Sequence, residues 1–272
     1  MKTDRAWLLG LSLPVAIMFL TFFAIPMTKL FVIGGSGELG WSAYVAAFIE
    51  PRYWRSMVST LTLSALVTLA TLVISGVAGT FLARHEFAGK QVLTALLTLP
   101  LAFPGVVIGI MVIMLGGRQG LVPRITDAIF GEPLVFAYSM VGLFLGYIYF
   151  SVPRTILTVM AAAENLDPQL IEAARSLGAS HWRVLLEVLI PGLKPALLAA
   201  GAICFATAMG AFGTAFTLAT KIDVLPMIIY TEFTLQANIA MAAALSFVLG
   251  LLTWSALAFA RSLTGSAVAA AA

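Results

Sequence analysis

The chain has 272 residues, of which 61% are hydrophobic and only 10% charged, with a formal net charge of +3. A soluble domain carries about a quarter charged residues, so a chain with a mean hydropathy of +1.04 has too little polar surface to cover itself in water. That excludes an ordinary soluble protein and makes the bilayer its main solvent.

In chain order, the first apolar stretch is Trp7–Met27. It is longer than a signal-peptide core and no small-residue cleavage site follows it, so it is read as a retained span. An outer segment near Gly34–Ser56 leads to the second stretch, Met57–Ala83, and a short inner loop, Arg84–Gln91, to the third, Val92–Leu115. Pro100 and Pro104 are predicted to kink that third helix. An outer loop, Gly116–Pro133, precedes the fourth stretch, Leu134–Val152. Then come a long inner segment, Met160–Lys194, the fifth stretch, Pro195–Thr220, a last outer loop, Lys221–Asn238, and the sixth stretch, Ile239–Ala260. Each crosses ~30 Å of hydrocarbon if helical, which takes roughly 20 residues. Continuous apolarity, not period-two alternation, makes them helices and not barrel strands. The predicted fold is an all-α membrane protein, one transmembrane domain over residues 1–265 with a patternless, disordered Ala-rich tail, Ser266–Ala272.

Lys and Arg set the orientation. Lys2, Arg5, Arg84, Lys90, Arg154, Arg175, Arg183, Lys194 and Arg261 fall on one side; Lys29, Arg52, Arg55, Arg118, Arg124 and Lys221 fall on the other. The excess puts both termini inside. No long basic run or aromatic–basic interleaving points to nucleic acid, and the lone Cys204 forms no internal disulfide.

The six apolar cores contain no Asp, Glu, Lys, Arg or His. Ion-driven transporters need ionisable groups at membrane depth or unwound helices whose carbonyls coordinate the ion, so the first feature counts against that class. The phosphate-loop pattern G-x-x-x-x-G-K-[ST] is missing; Gly89-Lys90 lacks the upstream glycine and the hydroxyl. His85 and His181 are far apart and begin no H-E-x-x-H pair, which leaves them as loop or interface residues with no metal role. No cluster of catalytic groups sits at membrane depth, so an embedded enzyme is disfavoured. Gly105-x-x-x-Gly109 and Gly142-x-x-x-Gly146 read as helix-packing seams.

The long inner segment carries a hairpin. Asp167 caps a helix that starts at Pro168, and Gly178 supplies a left-handed stop after Leu177. Leu170, Ala173, Ala174 and Leu177 share one stripe at i, i+3, i+4 and i+7. Ser180 caps a second helix, His181–Ile190, with Trp182, Leu185, Leu186 and Leu189 in the same spacing, and Pro191 is read as its end. Such a pair either caps its own bundle, lies on the membrane surface or offers a greasy knob to a partner.

Glu172-Ala173-Ala174, Gly178 and Val188-Leu189-Ile190-Pro191 resemble the EAA loop of ABC importer permeases, whose pattern is E-A-A-x3-G-x9-I-x-L-P. The spacing matches throughout; Val188 and Ile190 are conservative departures. The resemblance extends through Asp167-Pro168, Leu177-Gly178-Ala179-Ser180 and Pro153-Arg154, and the loop falls between spans four and five, as in that family. It implies a type I importer permease fold with a cytoplasmic coupling helix at about residues 160–194, docked in a cleft of an ATP-binding subunit. In that role Leu170 and Leu177 fill apolar pockets, Ala173 and Ala174 allow close approach, and Glu172 and Arg175 form the polar rim. Gly178, Ala179 and Ser180 shape the turn, and Pro191 leads into the fifth span. The resemblance also implies that this chain binds no cofactor. ATP and Mg sit on an ABC ATPase dimer, a second permease subunit completes the pathway, and a periplasmic solute-binding protein delivers the solute. By family position the fifth span lines the pathway, with Thr207, Met209 and Phe212 as candidate lining residues. Pro51-Arg52-Tyr53-Trp54-Arg55-Ser56 and the overall style look most like polyamine, aminoethylphosphonate and iron-type permeases, with sulfate and molybdate permeases as near relatives. Asp127, Glu132, Asp223 and Glu232 fall in outer loops and are read as meeting the receptor in preference to a cationic solute. A secondary transporter or channel working without an ATPase is the alternative.

Overall fold

The computed structural model describes residues 2–218 and 223–264, with side chains over 10–218 and 223–262. All regular structure among these residues is helical. In order the helices are α1 Lys2–Phe19, α2 Ile25–Gly34, α3 Ser42–Ile49, α4 Pro51–Arg84, α5 Lys90–Thr98, α6 Gly105–Gly116 and α7 Leu121–Phe130. Then follow α8 Met140–Glu164, α9 Pro168–Ser176, α10 His181–Val184, α11 Ile190–Met209, α12 Gly213–Leu218, α13 Leu225–Tyr230 and α14 Ile239–Thr264. Wide π turns join α1 to α2 at Leu20–Ala24 and α10 to α11 at Leu185–Leu189, and another extends α13 over Thr231–Leu235. The tail Ser266–Ala272 and Lys221 lie outside the described residues.

Among the described residues, six helical stretches are long and apolar enough to cross a membrane: Gly10–Gly34, Pro51–Arg84, Gly105–Phe130, Met140–Glu164, His181–Met209 and Ile239–Ser262. Several expected boundaries move. The third span is broken, not merely kinked. A 3-10 turn at Leu99–Ala102 ends on Phe103 in an extended conformation, and Pro104 then opens α6. Proline at 104 forces the residue before it out of the helical region. The fourth helix continues twelve residues past Val152, because hydropathy marks where the lipid ends and not where the helix does. The fifth span stops at Met209, with α12 beginning anew after Gly210. The outer segments are helical in part, in α3, α7 and α13.

The described chain divides into two compact units. The first comprises Met1–Met57 with Ile228–Leu251. Here Phe31 packs on Trp41, Tyr44 and Phe247 with ring centroids 5.1, 5.3 and 4.9 Å apart. The Tyr44 hydroxyl donates to the Phe31 carbonyl at 2.7 Å. Glu232, expected to face outward from a loop, is instead fully buried. It accepts from Arg52 Nη1 and from the Tyr53 hydroxyl, each at 3.1 Å. With its amide oriented to satisfy both neighbours, Gln236 donates to Glu232 Oε2 at 2.9 Å and accepts from Arg52. A buried carboxylate needs this many donors to offset its lost hydration.

The second unit comprises Val58–Met227 with Leu252–Ala272. Its core gathers Leu63 and Val67 of α4, Val112 of α6, Leu143 and Tyr147 of α8, Cys204 and Ala208 of α11, and Ala215 and Leu218 of α12. On α4 the small polar side chains Thr60, Ser64, Thr71 and Ser75 are buried; small residues of this kind let membrane helices approach closely. Thr60 Oγ1 accepts from the Leu225 amide at 2.8 Å, and Ser75 donates to the Val152 carbonyl at 3.3 Å. The predicted glycine seams are present. A Cβ on Gly109 would sit 2.5 Å from Thr217 Cβ, and one on Gly146 would sit 2.9 Å from Thr214 Cγ2.

Candidate functional site

The hairpin between α8 and α11 is built by local capping. Asp167 Oδ1 accepts from the Gln169 amide at 2.9 Å, and Pro168 occupies the first turn, where no amide proton is needed. The far end closes as a Schellman turn: the Gly178 amide donates to the Arg175 carbonyl at 2.9 Å, and the Ala179 amide to Ala174 at 3.0 Å. Gly178 takes φ +82°, which disfavours any side chain. Ser180 then caps α10 by accepting from the Arg183 amide at 3.4 Å.

What the hairpin exposes is apolar. Leu170 is 55% exposed, Leu177 89%, Trp182 73% and Leu186 60%. Glu172, Ala173 and Arg175 are exposed beside them, with Ala174 and Ala179 half-buried. Ile171 and Val184 turn inward and are buried. The root is held by a cluster of Val159, Ala163 and Leu193, against which Leu166 and Leu197 pack. An anchored pair of short helices thus presents its greasy stripe away from its own bundle. Pro191 does not end the second helix as expected. The wide turn at Leu185–Leu189 precedes it, with the Ile190 amide reaching back to Leu185, so Pro191 falls in the first turn of α11 and the rod continues to Met209.

A second feature lies along α8 and α11. Phe150, Ser151, Arg154, Thr155 and Thr158 face Ala200, Ile203, Cys204 and Thr207 across a small recess of about 20 Å³. An adjoining recess of about 240 Å³ shares Phe150, Ser151 and Thr207, and reaches Tyr147, Gly105, Gly210 and Gly213 at the two helix breaks. The Tyr147 hydroxyl donates to the Ala211 carbonyl at 2.6 Å, satisfying backbone freed where α11 ends. Of the three lining candidates, Thr207 borders both recesses. Met209 is fully buried and borders neither. Phe212 sits in the break between α11 and α12, its ring 5.3 Å from Phe216. Sequence reading missed Ser151, Arg154, Thr155 and Thr158, although their i, i+3, i+4, i+7 spacing marks one helical face. Arg154, read as an inner-flank residue, lies two residues past the apolar core and ten before the end of α8, about 15 Å along the axis.

The family described as "Binding-protein-dependent transport system inner membrane component" matches residues 75–265. Over 268 residues, 95% of this chain and 93% of the relative, the chain is 28% identical to a Salmonella typhimurium protein named for a 2-aminoethylphosphonate transport system, the permease protein PhnU. Over 182 residues, 65% of this chain and 79% of the relative, it is 31% identical to the molybdenum transport system permease protein ModB of Escherichia coli K12. A chain of the crystal structure of a bacterial alginate ABC transporter, in complex with a periplasmic protein holding an alginate pentasaccharide, superposes with a TM-score of 0.79 at 20% identity. That match covers 97% of both chains, and at such identity it establishes the shared fold. A six-span helical chain matched by this family over most of its length, hairpin included, belongs to the inner-membrane components of binding-protein-dependent transport systems.

Proposed function

We propose that this chain forms half the translocation pathway of an ATP-driven importer and is driven through the α9–α10 hairpin, with both termini and the hairpin on the cytoplasmic side. The observation that carries the reading is the exposed stripe of Leu170, Leu177 and Trp182 on a hairpin capped at both helix starts and anchored at its root. A stripe of this kind marks a surface that a protein or a membrane covers, and the match of its sequence to the EAA loop favours a protein. The partner is an ABC ATPase dimer, which binds ATP and Mg; this chain binds no cofactor and hydrolyses nothing. Leu170 and Leu177 enter apolar pockets of that partner, Ala173 and Ala174 set the closest approach, and Glu172 and Arg175 lie at the rim, where exposed pairs contribute about 0.2–1 kcal/mol each. Ala179 and Ser180 hold the turn, and Pro191 begins the helix that carries the motion into the membrane. A second permease subunit, a different chain or an identical copy, completes the pathway, and a periplasmic binding protein supplies the solute.

The similarity to PhnU over nearly the whole chain favours an aminoethylphosphonate-type solute within the small charged class, and ModB points to a related oxyanion. Neither relative is named for a polyamine, and that part of the expectation has no support from them.

The test is uptake in cells expressing the complete importer. Gly178→Asp and Glu172→Lys are expected to abolish uptake of 2-aminoethylphosphonate while the chain still inserts in the membrane. Full uptake in both variants, or transport by the purified chain without an ATPase, would contradict the coupling role.

A further inference from the structure

We propose that the groove between α8 and α11 draws anions, with Arg154 as its charge-selecting residue, so that the solute passing this chain carries negative charge. The inference rests on the reading above that solute moves along this chain, but its grounds are separate. Ser151, Arg154, Thr155 and Thr158 form a polar stripe on an otherwise apolar span and border one recess with Thr207 and Cys204. Arg154 follows the apolar core that ends at Val152, so its charge stands at the inner mouth of the groove, where it faces water or a partner. Among the described residues the ion pairs are Arg52–Glu232, Lys90–Glu86 and Arg183–Glu187; Arg154 pairs with no carboxylate. Its guanidinium is exposed and rests 5.6 Å from the centre of the Phe150 ring, which holds the charge without neutralising it.

The threonine hydroxyls offer an anion no free proton, so its charged donor in this stripe is Arg154. Thr155 donates to Ser151, Thr158 to Arg154 and Thr207 to Ile203, each to the carbonyl one turn earlier, at 3.0, 3.0 and 2.7 Å. Their protons are committed, and what they turn to the groove is lone-pair density. A cation would be welcomed by those oxygens but repelled by Arg154. An anion finds its N–H donors in the guanidinium, five of them in a planar fork suited to phosphonate or oxyanion geometry. The recess beside Arg154 has room for about one water, and the adjoining recess of about 240 Å³ shares Phe150, Ser151 and Thr207 with it but not Arg154, so a solute meets the charge in passing between them.

The test reads the local field without needing the solute. In the assembled importer carrying Cys204→Ala, a thiol is placed in the groove by Thr158→Cys. Its reaction rates are then measured with a negatively and a positively charged methanethiosulfonate of similar size. The anionic reagent is expected to be favoured, with the rate ratio falling about tenfold on Arg154→Gln and holding with Arg154→Lys. Thr207→Cys serves as a second reporter if Thr158→Cys folds poorly. An unchanged ratio in Arg154→Gln overturns the proposal. So does a thiol that neither reagent reaches, which would mean lipid or a neighbouring subunit seals the face. So does loss of assembly in Arg154→Gln, which would make the residue an intersubunit ion-pair partner. None of these outcomes touches the hairpin, so failure here and failure of ATPase coupling are told apart.

Discussion

Glu232 and Arg52 form an asymmetric pair, with the carboxylate side chain 1% exposed and the guanidinium 44%. Removing either partner therefore has unequal consequences. Arg52→Ala leaves a buried charge with only Tyr53 and Gln236 as side-chain donors, which costs about 2–3 kcal/mol. Glu232→Ala leaves a cation already half in water, and costs about 1 kcal/mol. The expected result is a lower thermal midpoint in detergent for Arg52→Ala than for Glu232→Ala; the reverse order would mean that Glu232 is not shielded from solvent. This pair also marks where residue-level reading stopped. Asp167, Gly178 and Ser180 act on backbone within three residues of themselves, and their roles were legible because capping is local. Gln236 is one turn from Glu232, but the carboxylate's partners Arg52 and Tyr53 stand 180 and 179 residues away. No spacing rule reaches that far, and a lone acid among loop residues reads as solvated.

Elements were legible by hydropathy, and their joints were not. The α6–α12 contact illustrates both. Gly105-x-x-x-Gly109 announced a close approach, but its partner, a six-residue helix after a break, was hidden inside one long apolar run. At this seam Thr214 donates to the Gly105 carbonyl at 2.9 Å and Thr217 to Val106 at 3.3 Å, so backbone and hydroxyl interlock. Gly109→Val would drive a branched side chain into Thr217 and should cost about 3 kcal/mol or more, read as a fall in folded yield and thermal midpoint. An unaltered midpoint would mean that α12 is loosely held. Pro191 taught the opposite lesson. Proline in a helix interior lacks an amide proton and its ring meets the carbonyl four residues back. A terminus is the usual outcome, yet a single wide turn upstream accommodates it here. The rule was sound; the geometry that evades it leaves no clear mark in composition.

For the whole molecule, the bilayer explains most exposed apolar side chains, but the hairpin's lie on loops that the charge distribution assigns to the aqueous side. A thiol at Leu177→Cys should react freely in the isolated chain and become at least tenfold slower when the ATPase subunits are co-assembled. Equal reactivity in both states would remove the docking surface. The six spans, the hairpin and its turn were readable because each is written in contiguous sequence; the groove was not, because it exists only where α8 and α11 face each other. One consequence concerns mechanics. From His181 to Met209 the chain is a single helical run of 29 residues, about 44 Å long, with one wide turn at Leu185–Leu189 and Pro195 inside it. It begins at the aqueous knob and ends at Gly210, beside the recess. If the hairpin is driven as proposed, a displacement applied at Ser180 is carried along this run toward Gly210, some eight turns away, with the turn before Pro191 and Pro195 as the places where it can bend.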